Sequence, residues 1–123
     1  MVRVADTSAL YALLNESDPH HTDARAAFED PDPILMPTEI LAETIQMVHY
    51  RKGPDAGRRV LEAVFALPQA RIADPVDVAA VRQVYKDGKG RLSIFDAFVI
   101  QTCRQHAAAA LTFDDDIRRA LKP

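Results

Sequence analysis

Asp6, Glu43, Asp96 and the run Asp114, Asp115 and Asp116 are the residues whose types and positions best suit chemistry, because each stands beside an apolar stretch. Asp6 closes Val2-Arg3-Val4-Ala5, Asp114 follows Ala110-Leu111-Thr112-Phe113, and Asp96 lies within Leu92-Ser93-Ile94-Phe95-Asp96-Ala97. Carboxylates are hard oxygen donors, and Mg²⁺ or Mn²⁺ takes a few of them while Mg²⁺ keeps several waters. Two like charges about 4 Å apart repel by about 4 kcal/mol at an effective dielectric near 20, so acids that share a site need a cation or raised pKa values. A divalent cation among them would activate water and offset charge building on a phosphate during in-line displacement. Phosphodiester hydrolysis is the reaction such a set supports. Each acid also has a structural job to hand: Asp6 or Thr7 caps a helix, Ser93 to Asp96 has capping-box spacing, and Asp114 to Asp116 suit the positive end of a helix.

Acids so far apart in sequence meet only if parallel strands bring their carboxyl ends to one edge of a sheet. Val2 to Ala5 reads as a strand, and the cap types Asp6-Thr7-Ser8 lead into a helix through Leu14. A second helix is expected from Asp18-Pro19 through Phe28, stopped by Pro31 and Pro33. Ile34 to Met36 is a short strand, followed by a helix from Pro37-Thr38 to Gly53-Pro54 that puts Glu39 and Glu43 on one face. The next helix, Asp55 to Ala66, has Val60, Leu61, Val64 and Phe65 as its apolar stripe. Ala70 to Ala73 is a weak strand, and Pro75 to Lys86 a helix burying Val76, Val78, Val81, Val84 and Tyr85 in part. Asp87-Gly88-Lys89-Gly90 forms a loop. A helix from Phe95 to His106, a strand from Ala108 to Phe113 and a helix from Ile117 to Leu121 complete the order, which predicts a parallel α/β sandwich.

The chain has 123 residues, a net charge of -3 and a pI near 5.7, which suits a single domain over residues 1–123 and argues against a general nucleic-acid coat. Basic residues nevertheless cluster at Arg51-Lys52 with Arg58-Arg59, at Lys86, Lys89 and Arg91, and at Arg118, Arg119 and Lys122. Cys103, the only cysteine, excludes an internal disulfide and reads as a small core residue in a reducing compartment. There is no membrane-length apolar run and no secretory signal pattern, so the expected location is the cytoplasm. His20, His21, His49 and His106 form no ligand pattern, and neither a phosphate-binding glycine loop nor a serine nucleophile elbow is present.

Four stretches in order carry a family resemblance over nearly the whole chain: Val4-Ala5-Asp6-Thr7-Ser8-Ala9-Leu10, Ile40-Leu41-Ala42-Glu43, Leu92-Ser93-Ile94-Phe95-Asp96-Ala97 and Leu111-Thr112-Phe113-Asp114-Asp115-Asp116. The sequence resembles the PIN-domain ribonucleases and, within them, the VapC-type toxins of prokaryotic toxin-antitoxin pairs. The resemblance implies a PIN-like three-layer sandwich, a Mg²⁺- or Mn²⁺-dependent endoribonuclease, and a homodimer neutralised by a cognate antitoxin. It implies Asp6, Glu43, Asp96 and Asp114 as catalytic metal-binding acids and Asp116 as a further metal acid. Thr7 and Thr112 match hydroxyl positions beside the first and last acids, with Ser93 the cap that aims Asp96. Glu39 competes with Glu43, and Asp115 with its neighbours; the Leu-Ala-Glu context favours Glu43. Activated water would then attack RNA phosphorus to leave a 5′-phosphate and a 3′-hydroxyl. Lys89, Arg91 and Arg118 are candidate RNA contacts by charge and loop position.

Two other classes compete. A noncatalytic PIN-like interaction module would keep the fold without metal-dependent cleavage. A receiver-like signalling domain needs an acid pair after the first strand and a strand-end lysine, whereas Asp6 stands alone and acids follow Phe113. Ser8 likewise disfavours an Asp-x-Asp phosphatase.

Overall fold

A computed structural model describes residues 1–123. The elements are β1 (Arg3–Ala5), α1 (Thr7–Leu14), α2 (His21–Glu29), β2 (Ile34–Met36), α3 (Thr38–Lys52), α4 (Pro54–Ala66), β3 (Ala70–Ile72), α5 (Val78–Asp87), α6 (Ile94–His106), β4 (Ala109–Leu111) and α7 (Asp115–Leu121). The four strands pair in parallel in the order β3-β2-β1-β4, forming the central sheet of an α/β sandwich flanked by helices. No helix is long and apolar enough to cross a membrane.

The strand order determines where a site can form. From β1 the chain steps outward to β2 and β3, then returns to lay β4 on the other side of β1. The connection from β1 to β2 and the return from β3 to β4 therefore lie on opposite sides of β1, and a crevice opens at the carboxyl ends of β1 and β4. Ala5 pairs with Leu111, and the Asp6 N–H donates to the Leu111 carbonyl at 3.2 Å, so Asp6 and the segment from Thr112 to Asp114 emerge side by side.

The sheet is short, and its central strands are well packed while the edge strand β3 stays largely exposed. Val4, Ala5, Ile34 and Met36 are buried without solvent contact, against Leu10 of α1, Ile40 of α3 and Ile100 of α6. Burial of each large aliphatic side chain contributes roughly 1.5–3 kcal/mol, and the cluster holds α1, α3 and α6 against β1. Thr44 and Thr102 sit inside this core with their hydroxyls donating to the Ile40 and Phe98 carbonyls one turn back, which satisfies them without outside partners. Cys103 is buried as expected, and burial, with the Asp6 charge adding to it, pushes its thiol up to about 12.

Several helix faces and starts differ from expectation. In α4 the buried positions are Ala56, Gly57, Val60 and Val64, while Leu61 and Phe65 stand one position past the two valines and Phe65 is 68% exposed. The packing of α4 takes a stripe narrower than its apolar residues would allow. In α5, Val81 and Val84 are buried, but Val78 is 67% exposed in the first turn and Tyr85 faces solvent one position past Val84. That helix begins at Val78 rather than near Pro75 because the Asp77 carboxylate accepts the Ala79 N–H and caps it. Asp18 similarly spends its carboxylate on the His20 N–H in a turn, so α2 begins at His21.

Candidate metal centre

Three of the acids are held by the helix ends they cap. Asp6 is the extended N-cap of α1: its Oδ1 accepts the Ala9 N–H at 2.9 Å and the Ser8 hydroxyl at 2.7 Å, while the Thr112 hydroxyl donates to Oδ2. Asp96 and Ser93 form a full capping box at α6, the Ser93 N–H donating to Asp96 Oδ2 at 2.8 Å and the Asp96 N–H to Ser93 Oγ at 3.0 Å. Asp114 caps α7, its Oδ1 accepting N–H groups from Asp116 and Ile117 at 2.8 and 3.2 Å. Glu43 projects from the middle of α3, where the Thr7 hydroxyl donates to its Oε1. Capping and chemistry are therefore compatible: Asp96 Oδ1, Asp114 Oδ2 and Glu43 Oε2 carry no protein hydrogen bond and remain free to accept.

All four acids line one cavity of about 440 Å³, together with Thr7 and Ser8. Asp6, only 4% exposed, forms its floor. Glu43 lines this cavity and Glu39 does not. Tyr11, Asp18, His20, Ile40, Met47 and Arg51 complete the lining. Ile40, Glu43, Met47 and Arg51 recur at three- and four-residue steps on α3, so one helix face presents them all. The Arg51 guanidinium lies over the Tyr11 ring, 5.4 Å from its centroid, and His20 stacks on Phe113 with centroids 4.4 Å apart.

The electrostatics record the crowding. Burial pushes the Asp6 carboxyl above its ordinary range and the Asp114 charge adds to this, against hydrogen bonds from Thr112, Ala9 and Ser8. Burial also raises Glu43, reinforced by the charges of Asp96 and Asp6 and opposed by Thr7. Asp96 is raised by burial and by the charges of Asp114 and Asp116, against the Ser93 hydrogen bonds. All three groups bind protons more tightly in the folded chain than in the unfolded one. Their cost to stability is full at neutral pH, falls as pH drops through the folded values, and vanishes below the unfolded range near 4. Thermal melts in EDTA should therefore show a midpoint that rises as pH is lowered from neutral towards about 5. A midpoint falling steadily over that window would contradict this electrostatic account.

The four acids face one cavity without closing on one point: no three His, Cys, Asp or Glu side chains stand close enough to hold an ion jointly. The donor set still fits a hard cation, since Mg²⁺ binds through one or two carboxylates and completes its shell with water. The three free carboxylate oxygens around the cavity offer that combination.

Other expected residues are placed differently. Asp116 lines a neighbouring cavity and pairs with Arg119 at 2.7 Å, so it reaches the four acids through its charge on Asp96. Asp115 is exposed and pairs with Arg118 at 3.5 Å. The Arg118 side chain also donates to the Thr112 carbonyl, tying it to the end of β4. Ser93 forms the capping box with Asp96, but the two threonines serve other acids than the ones they adjoin in sequence: Thr7 donates to Glu43, and Thr112 to Asp6. Ser8 goes beyond its sequence reading: its hydroxyl bonds Asp6 and accepts the Phe113 N–H at 3.0 Å, joining the two strand ends. Its place in Asp6-Thr7-Ser8 suggests a cap, but the link to Phe113 needs the fold. Arg51 was legible, lying eight residues after Glu43 on the same helical face.

The chain matches the PIN domain family model over residues 3–122. Its fold is similar to VapC20 of Mycobacterium tuberculosis, a sarcin-ricin loop cleaving toxin, with a TM-score of 0.81 and 21% identity over 98% of this chain and 96% of that one. It is similar to VapBC2 of Rickettsia felis, solved bound to a DNA fragment from its promoter, with a TM-score of 0.71 and 11% identity over 98% and 94%. FitAcB of Neisseria gonorrhoeae gives 0.65 and 18% over 98% and 92%. No curated protein sequence matches the chain. The family match spans the strand that carries Asp6, the helices that carry Glu43 and Asp96, and the turn that carries Asp114, and on that ground the chain belongs to the PIN-domain family.

Proposed function

We propose that this protein is a Mg²⁺- or Mn²⁺-dependent endoribonuclease, the toxin of a toxin-antitoxin pair, folded as one domain over residues 1–123. It acts in the cytoplasm as a homodimer restrained by a protein antitoxin. The observation that carries this reading is the single cavity at the β1/β4 crevice lined by Asp6, Glu43, Asp96 and Asp114. The fold shared with the sarcin-ricin loop cleaving toxin VapC20 supports the toxin part.

When bound, the divalent ion supplies Lewis acidity towards the phosphate and lowers the pKa of water. Glu43, Asp96 and Asp114 would hold it through their free oxygens, one or two directly and the rest, with Asp6, through its water shell; Thr7 orients Glu43, Ser8 and Thr112 orient Asp6, and Ser93 aims Asp96. Asp116 acts from beside the cavity, through its charge on Asp96. Arg51, the one Lys or Arg in the lining, meets a phosphate from the α3 face that also carries Glu43, while Tyr11 keeps its guanidinium in place.

The test is incubation of purified protein with a mixed RNA pool in Mg²⁺, Mn²⁺ or EDTA, with the ends of the products mapped. Cuts that require metal and leave a 5′-phosphate and a 3′-hydroxyl are expected. The lack of a three-acid cluster already drawn together favours one competing reading, a noncatalytic interaction module. Absence of metal-dependent cuts would select it.

A further inference from the structure

The cations expected to meet RNA divide into two groups. Arg118 is engaged by the Thr112 carbonyl and Asp115, and Lys89 lies outside both cavities described above. Arg91, in contrast, joins Arg104 and Arg119 around the neighbouring cavity, which has a volume of about 340 Å³. The loop that carries Arg91 is shaped for this. A Cβ on Gly88 would stand 2.8 Å from Leu92 Cδ1, so glycine there lets Leu92 pack down on the end of α5. Gly90, at φ 82°, takes the left-handed turn that a side chain would resist.

This cavity is not a balanced salt-bridge network. Of its two carboxylates, Asp116 pairs with Arg119 at 2.7 Å, while Asp87 accepts from the Gln83 amide at 2.8 Å. Arg104 donates only to the Ala120 carbonyl, at 3.2 Å, and Arg91 pairs with no carboxylate. Arg91 and Arg104 are thus left for a ligand, with Arg119 held beside the same cavity by Asp116, on a chain whose net charge is -3. Guanidinium forks match phosphate oxygens bidentately, and contacts of this kind position a strand without reading its bases.

The cavity also adjoins the acids. Leu92 in its lining directly precedes Ser93, the cap that holds Asp96, and Asp116 lies in the first turn of α7, two residues after the Asp114 cap. Arg104 lies eight residues beyond Asp96 on α6, roughly 12 Å along the helix. We infer that Arg91, Arg104 and Arg119 form a second RNA-backbone site, which holds phosphates of the strand where it leaves the cleavage cavity along the α6–α7 seam. The inference rests on the ribonuclease reading and adds a substrate subsite to it.

The test is the full chain carrying Arg91→Ala and Arg104→Ala together, compared with Arg91→Lys and Arg104→Lys. Affinity for a fluorescent single-stranded RNA is measured by anisotropy over a salt series, with Asp96→Asn present so that the RNA stays whole. Cleavage constants are measured without Asp96→Asn. The alanine pair should weaken binding by about tenfold, make the slope of log affinity against log salt shallower by about 1.4, and raise KM with kcat within about twofold. The lysine pair should keep most of the affinity. Unchanged affinity and slope in a protein that cleaves RNA would overturn the subsite and leave the ribonuclease standing. A fall in kcat with unchanged affinity would also overturn it. Neither binding nor cleavage by the parent chain would overturn the ribonuclease reading, and this inference with it.

Discussion

Asp96→Asn is expected to lower metal-dependent RNA cleavage by about 10³-fold or more, a barrier increase of about 4 kcal/mol. The substitution removes one negative charge from the cavity wall while preserving the shape of the side chain. Asparagine keeps an oxygen to accept the Ser93 N–H, and the donation from the residue 96 N–H to Ser93 Oγ does not depend on the side chain. The cap of α6 therefore survives, and the melting temperature should stay within about 4 °C of the parent, equivalent to about 1 kcal/mol for a chain of this size. Loss of cleavage with an intact melt assigns the effect to chemistry. Cleavage at the parental rate would remove Asp96 from the site.

Mg²⁺ should raise the melting temperature by roughly 10 °C when present at about one hundred times its dissociation constant, since binding to the folded state alone contributes about 2.7 kcal/mol there. The raised carboxyls of Asp6, Glu43 and Asp96 explain why this response should be large: a cation offsets repulsion that the metal-free fold carries at neutral pH. Asp6→Asn should abolish the response. Its own metal-free melt should move by less than about 4 °C, because relief of a buried charge opposes the weaker acceptance of the Ala9, Ser8 and Thr112 hydrogen bonds. Differential scanning fluorimetry across an Mg²⁺ series measures both chains. An equal Mg²⁺ shift in the variant would mean that the ion stabilises some other part of the surface.

Much of this arrangement could be read before folding, because its determinants are local. Asp-Thr-Ser after Val4-Ala5, the Ser93 to Asp96 spacing and the acids after Phe113 are short-range capping signals, and each cap formed at the acid it implicated. The alternation of elements followed from prolines, glycines and apolar runs, and all four strands lie where expected, trimmed at some ends. What could not be read depends on partners distant in sequence. The order β3-β2-β1-β4 places the crevice between β1 and β4, and no local pattern states that order. Asp116 resembles its two neighbours in sequence, yet its turn position aims it at Arg119 instead of the four acids. Leu61 and Phe65 have the right apolarity for a core, but the buried face of α4 runs through Ala56, Gly57, Val60 and Val64 and leaves them exposed. Arg104 gave no signal at all, because its meaning comes from Arg91 and Arg119 converging across a helix seam.

The acids Asp6, Glu43, Asp96 and Asp114 are proposed to share one divalent cation, directly or through its bound water. Electron paramagnetic resonance tests it most directly, by titrating Mn²⁺ into the protein and following loss of the free-ion signal, with Asp6→Asn and Asp96→Asn as paired controls. Saturable Mn²⁺ uptake by the parent chain, displaced by excess Mg²⁺ and lost or sharply weakened in both variants, is the expected result. Uptake that is absent from the parent, or equally strong in all three chains, would contradict the claim.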